Sequence, residues 1–212
     1  MKKKKYISKG VYLVIDSSMD KERTLNQLRA VKNEEIAAIQ IWNNPAIEKV
    51  DKCFLKDIIQ LYQDVPVPIL INEEWKLLKE IDFDGVHFDS IPNDFLKIEQ
   101  ELDREFLKGI TLSNDLEVVE KADEFSFDYV SFCSMFPSKT VDSCEIVHPG
   151  SVKKCREITA MPIFLSGGIN PGNMDLLQQL PFEGIAVVSG IMKATDPVKA
   201  LRAYNKQLTS KN

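Results

Sequence analysis

Gly167 and Gly168 stand side by side in LSGGIN, Leu165 to Asn170, where they follow an apolar run and precede a helical pattern. Glycine lets a backbone approach an anion closely, and the N–H groups of a following helix start can donate to it. The same residues also suit a plain tight turn. A second junction of this kind is Val188–Ser189, near the end of GIAVVSGI. Other reactive side chains are sparse, with two histidines and four cysteines in the chain. His87 closes a short apolar run and reads as a satisfied structural residue. His148 lies in the polar loop HPGS, from which an imidazole could reach a site as acid or base. Cys133 falls at a strand end and reads as a buried thiol. Cys53, Cys133, Cys144 and Cys155 lack CxxC spacing, which disfavours structural zinc and fits reduced thiols in a cytosol.

The elements that position these residues repeat along the chain. GVYLVID (Gly10 to Asp16) reads as a strand, and KERTLNQLRAV carries Leu25, Leu28 and Val31 at helical spacing. Seven more such pairs follow. Their strands are IAAIQIW, PVPILIN, DGVHF, FLKGITL, DYVSFCS, MPIFLSGGI and EGIAVVSGI. Nearly unbroken apolar strands of this kind belong to parallel sheets covered on both faces. Eight units predict one closed (β/α)8 TIM barrel spanning residues 1–212, with functional groups at the C-terminal ends of the strands. The loops after the seventh and eighth strands are a frequent phosphate site of such barrels, so the two junctions read more strongly together than apart. An open doubly wound sheet is disfavoured by the absence of GxGxxG.

Composition excludes several classes. With 27 basic against 32 acidic residues, net charge −5, nothing suggests a nucleic-acid or anionic-membrane partner. No apolar run approaches a signal core or a membrane span, so a cytoplasmic location is expected. The Lys2 to Lys5 run reads as part of a frayed terminus over residues 1–9.

Taken in order, these motifs resemble the thiamine phosphate synthase family, including the related thiazole tautomerase, over nearly the whole chain. The matching features are YLVID, Gln40 at the second strand end, Ile71–Asn72, DGVH, GIT, DYVSF followed by FPSKT (Phe136 to Thr140), SGGIN and AVVSGI. The resemblance implies a barrel that joins a pyrimidine methyl diphosphate to a thiazole phosphate, releasing pyrophosphate with help from Mg2+. It further implies that Gly167, Gly168, Val188 and Ser189 hold the thiazole phosphate, with Ser138 and Thr140 around that substrate. Gln40 and Asn72 would shape the pyrimidine and diphosphate region. Thr111 matches a family serine that contacts pyrophosphate, and Lys139 would swing toward the site.

The chain also departs from the family pattern. An Arg and a Lys that follow the second-strand Gln are here Trp42 and Asn44, and a Lys after FPSKT is Val141. The family's metal-binding Asn-Asp pair is Asn72–Glu73, and its next metal Asp falls on Pro92, leaving Asp89 or Asp94 as substitutes. The tautomerase's proton-shuttling His is Ser113. Besides coupling, the expectations therefore include a non-catalytic thiazole phosphate binder and a thiazole phosphate tautomerase.

Overall fold

Side-chain alternation along the first strand sets the plan of the molecule. In the computed structural model, which describes residues 4–44, 51–137 and 145–209, β1 (Gly10–Asp16) turns Val11, Leu13 and Ile15 outward to the main core and Tyr12 inward. The following elements are α1 (Lys21–Val31), β2 (Ala38–Trp42), α2 (Lys52–Leu61), β3 (Ile69–Asn72), β4 (Gly85–Phe88), α3 (Phe95–Leu102) and β5 (Leu107–Leu112). Then come α4 (Glu117–Glu124), β6 (Tyr129–Cys133), α5 (Pro149–Ile158), β7 (Ile163–Ser166), β8 (Gly184–Val187), α6 (Ser189–Met192) and α7 (Pro197–Thr209). The eight strands are parallel and pair in sequence order, and β8 closes on β1. The expected (β/α)8 barrel is therefore the fold. Among the described residues no helix is long and apolar enough to cross a membrane.

Two crossovers differ from the helices read in the sequence. EEWKLLKEI forms only a 3-10 turn over Trp75–Lys79, and GNMDLLQQL one over Met174–Leu177. Twelve residues separate β3 from β4, near the minimum for a crossover, and Pro171 and Pro181 bracket the second turn. Leu77, Leu78, Met174 and Leu177 still bury against the sheet, so the apolar pattern was real and its helical reading too long.

Inside the barrel a separate cluster gathers Tyr12, Leu70, Leu107, Tyr129 and Phe164. Glycines make the room. A Cβ on Gly109 would lie 2.0 Å from the Tyr129 ring, and one on Gly184 2.5 Å from that of Phe164. At the N-terminal rim an acid before each of β4, β6 and β8 accepts an N–H at the start of the preceding strand, from its first or second residue. Asp84 takes Ile69 N at 2.8 Å, Asp128 takes Lys108 N at 2.8 Å and Glu183 takes Ile163 N at 2.7 Å. Two of these acids meet the described part of the lysine run: Lys4 pairs with Asp128 at 2.7 Å and Lys5 with Asp84 at 3.1 Å.

Candidate active site

The floor of the C-terminal mouth is a row of buried polar side chains. Tyr12 Oη donates to Gln40 Oε1 at 2.9 Å and lies 2.7 Å from Tyr129 Oη. Tyr129 Oη is 2.8 Å from His87 Nδ1, and His87 Nε2 is 2.9 Å from Thr111 Oγ1. Burial pushes the His87 imidazole down to about 4 and both tyrosines above their usual range, so the ring is neutral and the phenols keep their protons near neutrality. His87 is the satisfied residue that the sequence suggested. The two tyrosines of the row, Tyr12 and Tyr129, were missed there, although each stands at an inward position of its strand and Tyr129 has Gly109 opposite it in register.

The rim above β2, β3 and β4 is made of amides and carboxylates. Asn72 Nδ2 donates to His87 O and to Asp89 Oδ1, each at 3.1 Å. Glu73, at φ 58°, turns its carboxylate back onto Asp89 N. Desolvation raises the pKa of half-buried Glu73, with the nearby Asp89 charge adding to it. Asp89 rises by desolvation as well, partly offset by Asn72, and its exposed face screens the effect. Of the two substitutes for the residue at Pro92, Asp89 joins Asn72 and Glu73, whereas Asp94 stands exposed at the start of α3. Two carboxylates and an amide oxygen are hard donors of the kind magnesium prefers. Among the described residues no three His, Cys, Asp or Glu side chains group as metal ligands, so any cation here would retain several other ligands.

Trp42 ends β2 opposite Asp16 and is half-buried. Asn44 Nδ2 donates to Asp16 Oδ1 at 3.0 Å, and Asn44 N to Ser17 Oγ at 3.0 Å. The position that resembles a family lysine thus ties the loops after β1 and β2 together.

Across the mouth, the turns after β7 and β8 are built from backbone. Gly167 and Gly168 have φ of 86° and 65°, a region that non-glycine residues enter at a cost. A Cβ would meet Ser134 Oγ at 1.8 Å from Gly167 and Pro137 O at 2.6 Å from Gly168. Phe136 N donates to Gly167 O at 3.1 Å and Met135 N to Ser166 O at 2.8 Å, which joins the glycine turn to the segment after β6. Val188 is half-buried and Ser189 exposed as α6 begins directly after β8. Ser138, Lys139, Thr140 and Val141, with Cys144, lie outside the described residues.

The remaining candidates stand apart. His148 is exposed at the start of α5, and its N–H donates to Asn114 Oδ1 at 2.8 Å, while Ser113 is exposed after β5. Cys133 is half-buried at the end of β6, in register with Ser166. A cavity of about 770 Å³ opens at the opposite end of the barrel, beside Gly10, Val67 and Glu183, and contains none of the candidate residues. The candidate site is the strand-end mouth, where barrels of this kind carry their functional groups, rather than that hollow.

Among known proteins, the chain is 28% identical over 207 residues to the thiamine-phosphate synthase of Methanobrevibacter smithii, covering 96% of this chain and 97% of the relative. It is 30% identical over 147 residues to that of Fusobacterium nucleatum, covering 69% of each. In fold it is similar to the thiamine phosphate pyrophosphorylase of Pyrococcus furiosus, with a TM-score of 0.75 at 21% identity over 95% of this chain and 96% of the other. Residues 11–191, from the first barrel strand into α6 and through both glycine-rich junctions, match the family model described as thiamine monophosphate synthase, and the chain belongs to that family.

Proposed function

We propose that this protein joins a hydroxymethylpyrimidine diphosphate to a thiazole phosphate and releases pyrophosphate. The observation that carries the reading is the pairing, in one mouth, of a backbone-built turn suited to a phosphate with an amide-and-carboxylate rim suited to a metal-bound diphosphate. The bond from the pyrimidine methylene carbon to the diphosphate oxygen breaks, and its electron pair leaves with pyrophosphate. The thiazole nitrogen then gives its lone pair to the resulting cation, forming the new C–N bond. Alignment and charge stabilisation supply most of the acceleration in such a step.

In this reading Gly167, Gly168, Val188 and Ser189 hold the thiazole phosphate, with Ser138 and Thr140 beside it. Gln40 and Asn72 orient the aminopyrimidine. Thr111 and Lys139 meet the departing pyrophosphate. Glu73 and Asp89, with the Asn72 amide, would hold Mg2+, which when bound neutralises diphosphate charge. The partners are small phosphorylated heterocycles.

A second reading, a thiazole phosphate binder without turnover, is favoured by one observation: Trp42 and Asn44 stand where the resemblance places cations, and Asn44 is bonded to Asp16. Incubation of the purified protein with both substrates and Mg2+, read by mass spectrometry, separates the two. Thiamine phosphate is expected; its absence where an authentic synthase works would leave the binder.

A further inference from the structure

The row of buried groups beneath the mouth has a direction. Each phenol and the threonine hydroxyl carries one proton to donate, and a neutral imidazole carries one N–H. Tyr12 is 2% exposed, Tyr129 0%, His87 5% and Gln40 6%, so these groups satisfy one another rather than solvent. Neither ring nitrogen of His87 is bonded to a carboxylate that would favour the imidazolium; the two partners are hydroxyls, each able to donate or accept.

The donor at one end then fixes every donor to the other. Because Tyr12 donates to Gln40 Oε1, it must accept from Tyr129. Tyr129 in turn must accept from His87 Nδ1–H. His87 Nε2 is left as an acceptor, and Thr111 donates to it. In this polarity Thr111 offers only lone pairs to the mouth, which does not suit an anion.

For Thr111 to donate to a phosphate oxygen, every bond must reverse. His87 then carries its proton on Nε2 and donates to Thr111 Oγ1, Tyr129 donates to Nδ1, and Tyr12 donates to Tyr129. Tyr12 can no longer donate to Gln40, so the amide turns to give its N–H to Tyr12 and brings Oε1 to the opposite side. No bond to carbon changes. One proton moves between the imidazole nitrogens while each hydroxyl exchanges its donor role.

We infer that Gln40 and Thr111 are the two ends of one reversible hydrogen-bond chain, so that an acceptor-only anion at Thr111 turns Gln40 into an acceptor for an amino-substituted heterocycle. Tyr12, Tyr129 and His87 are positioning residues in this device. They link occupancy of the diphosphate end to recognition at the pyrimidine end, about 10-fold in affinity, within the usual range for coupled sites. The identity of the two ligands rests on the proposed function; the reversal of the chain does not.

The tautomer of His87 reports the polarity directly. The chain has two histidines, so 15N spectra of the labelled protein with a His148→Gln control assign the ring. The ligand-free protein is expected as the Nδ1–H form, and saturating magnesium pyrophosphate as the Nε2–H form. By calorimetry, magnesium pyrophosphate should tighten binding of the unphosphorylated hydroxymethyl aminopyrimidine about 10-fold, and less than 2-fold in Tyr129→Phe, which keeps the ring under Gly109. An Nε2–H ring in the free protein, or an unmoved tautomer while calorimetry records pyrophosphate binding, overturns the inference. Pyrophosphate that does not bind refutes the diphosphate end of the proposed function instead. The chain is then decided without ligand, since Gln40→Glu, which only accepts, must hold Nδ1–H, and Gln40→Lys, which only donates, must hold Nε2–H. The same tautomer in both folded variants, or an Nε2–H ring in Gln40→Glu if the lysine variant does not fold, defeats it.

Discussion

The two sides of the barrel mouth are made of different materials. After β7 and β8 the turns SGGIN and VSG contain no acidic residue, and their shape depends on glycines at positive φ pressed against Ser134 and Pro137. After β1, β3 and β4 the working groups are side chains, and Asp16, Glu73 and Asp89 are all acids. Backbone N–H groups can hold an anion with no counter-charge, whereas a diphosphate arriving above three carboxylates is repelled unless a cation comes with it. The first side should therefore tolerate changes of charge but not of backbone shape. The second should respond to charge above all.

The largest effect that would sharpen this contrast is expected from Glu73→Gln combined with Asp89→Asn. Turnover should fall about 10²- to 10³-fold, comparable with removing one preorganised donor from a developing charge. The magnesium requirement should weaken in parallel, and calorimetry should find the thiazole phosphate affinity within about 2-fold of the parent, as expected for separated sites. An equal loss of thiazole phosphate binding would break the contrast, because the two sides would then be one electrostatic unit.

The converse change is Gly168→Ala. A left-handed conformation costs an L-residue about 1–2 kcal/mol. The added Cβ must also displace Pro137 O from 2.6 Å, which threatens the join between the glycine turn and the segment after β6. Thermal unfolding should show a loss of about 2 kcal/mol, and thiazole phosphate affinity should drop about 10-fold. Magnesium pyrophosphate titration should hardly change. If it weakens as much as thiazole phosphate binding, the turn is not a separate module.

What was legible in the sequence divides along the same line. Gly167–Gly168 could be read because a positive φ demands a residue type, and the eight apolar runs because covered strands demand theirs. Trp75–Lys79 misled because burying Leu77 and Leu78 requires only one apolar face, which a 3-10 turn supplies as well as a helix. The floor was not legible. Tyr12 and Tyr129 are 117 residues apart, and only closure of the barrel brings their hydroxyls together. The acids before β4, β6 and β8 were visible as D, D and E, yet their strand-capping role depends on the register of neighbouring strands. Roles for Gln40, Asn72 and Thr111 came from resemblance alone; the structure adds that Gln40 and Thr111 share one hydrogen-bonded row.

A smaller effect should follow from giving the β2 rim its cations. Trp42→Arg with Asn44→Lys places a planar phosphate fork and a point charge beside the diphosphate end. The two positions are not equal. A lysine at position 44 would stand where Asn44 Nδ2 meets Asp16 at 3.0 Å, so Asp16 would neutralise much of its charge. Trp42→Arg alone should therefore deliver most of the gain, about 1 kcal/mol in pyrophosphate affinity by calorimetry, decreasing as salt is added. A natural protein that couples briskly and is slowed by Trp42→Arg would show that the tryptophan belongs to a working pocket.

The smallest effect is a difference between two pH dependences of opposite sign. His87 is held down to about 4 by burial, so the stability it contributes is present above the unfolded value near 6.5 and is lost as pH falls through about 4. Glu73 and Asp89 are displaced upward, chiefly by desolvation, so their contribution is present below the unfolded carboxylate values near 4 and is lost as pH rises through their folded values. In the metal-free protein the acids thus soften the acid destabilisation that His87 causes. Urea unfolding from about pH 4 to neutrality should find Glu73→Gln/Asp89→Asn relatively more stable at neutral pH and losing stability more steeply on acidification than the parent. Magnesium should shift the parent toward the variant's profile, since a cation on the rim favours the charged carboxylates and competes with their protons. Parallel profiles with and without magnesium would mean that the acid pair feels neither burial nor metal, and the rim would lose its electrostatic distinction from the turns after β7 and β8.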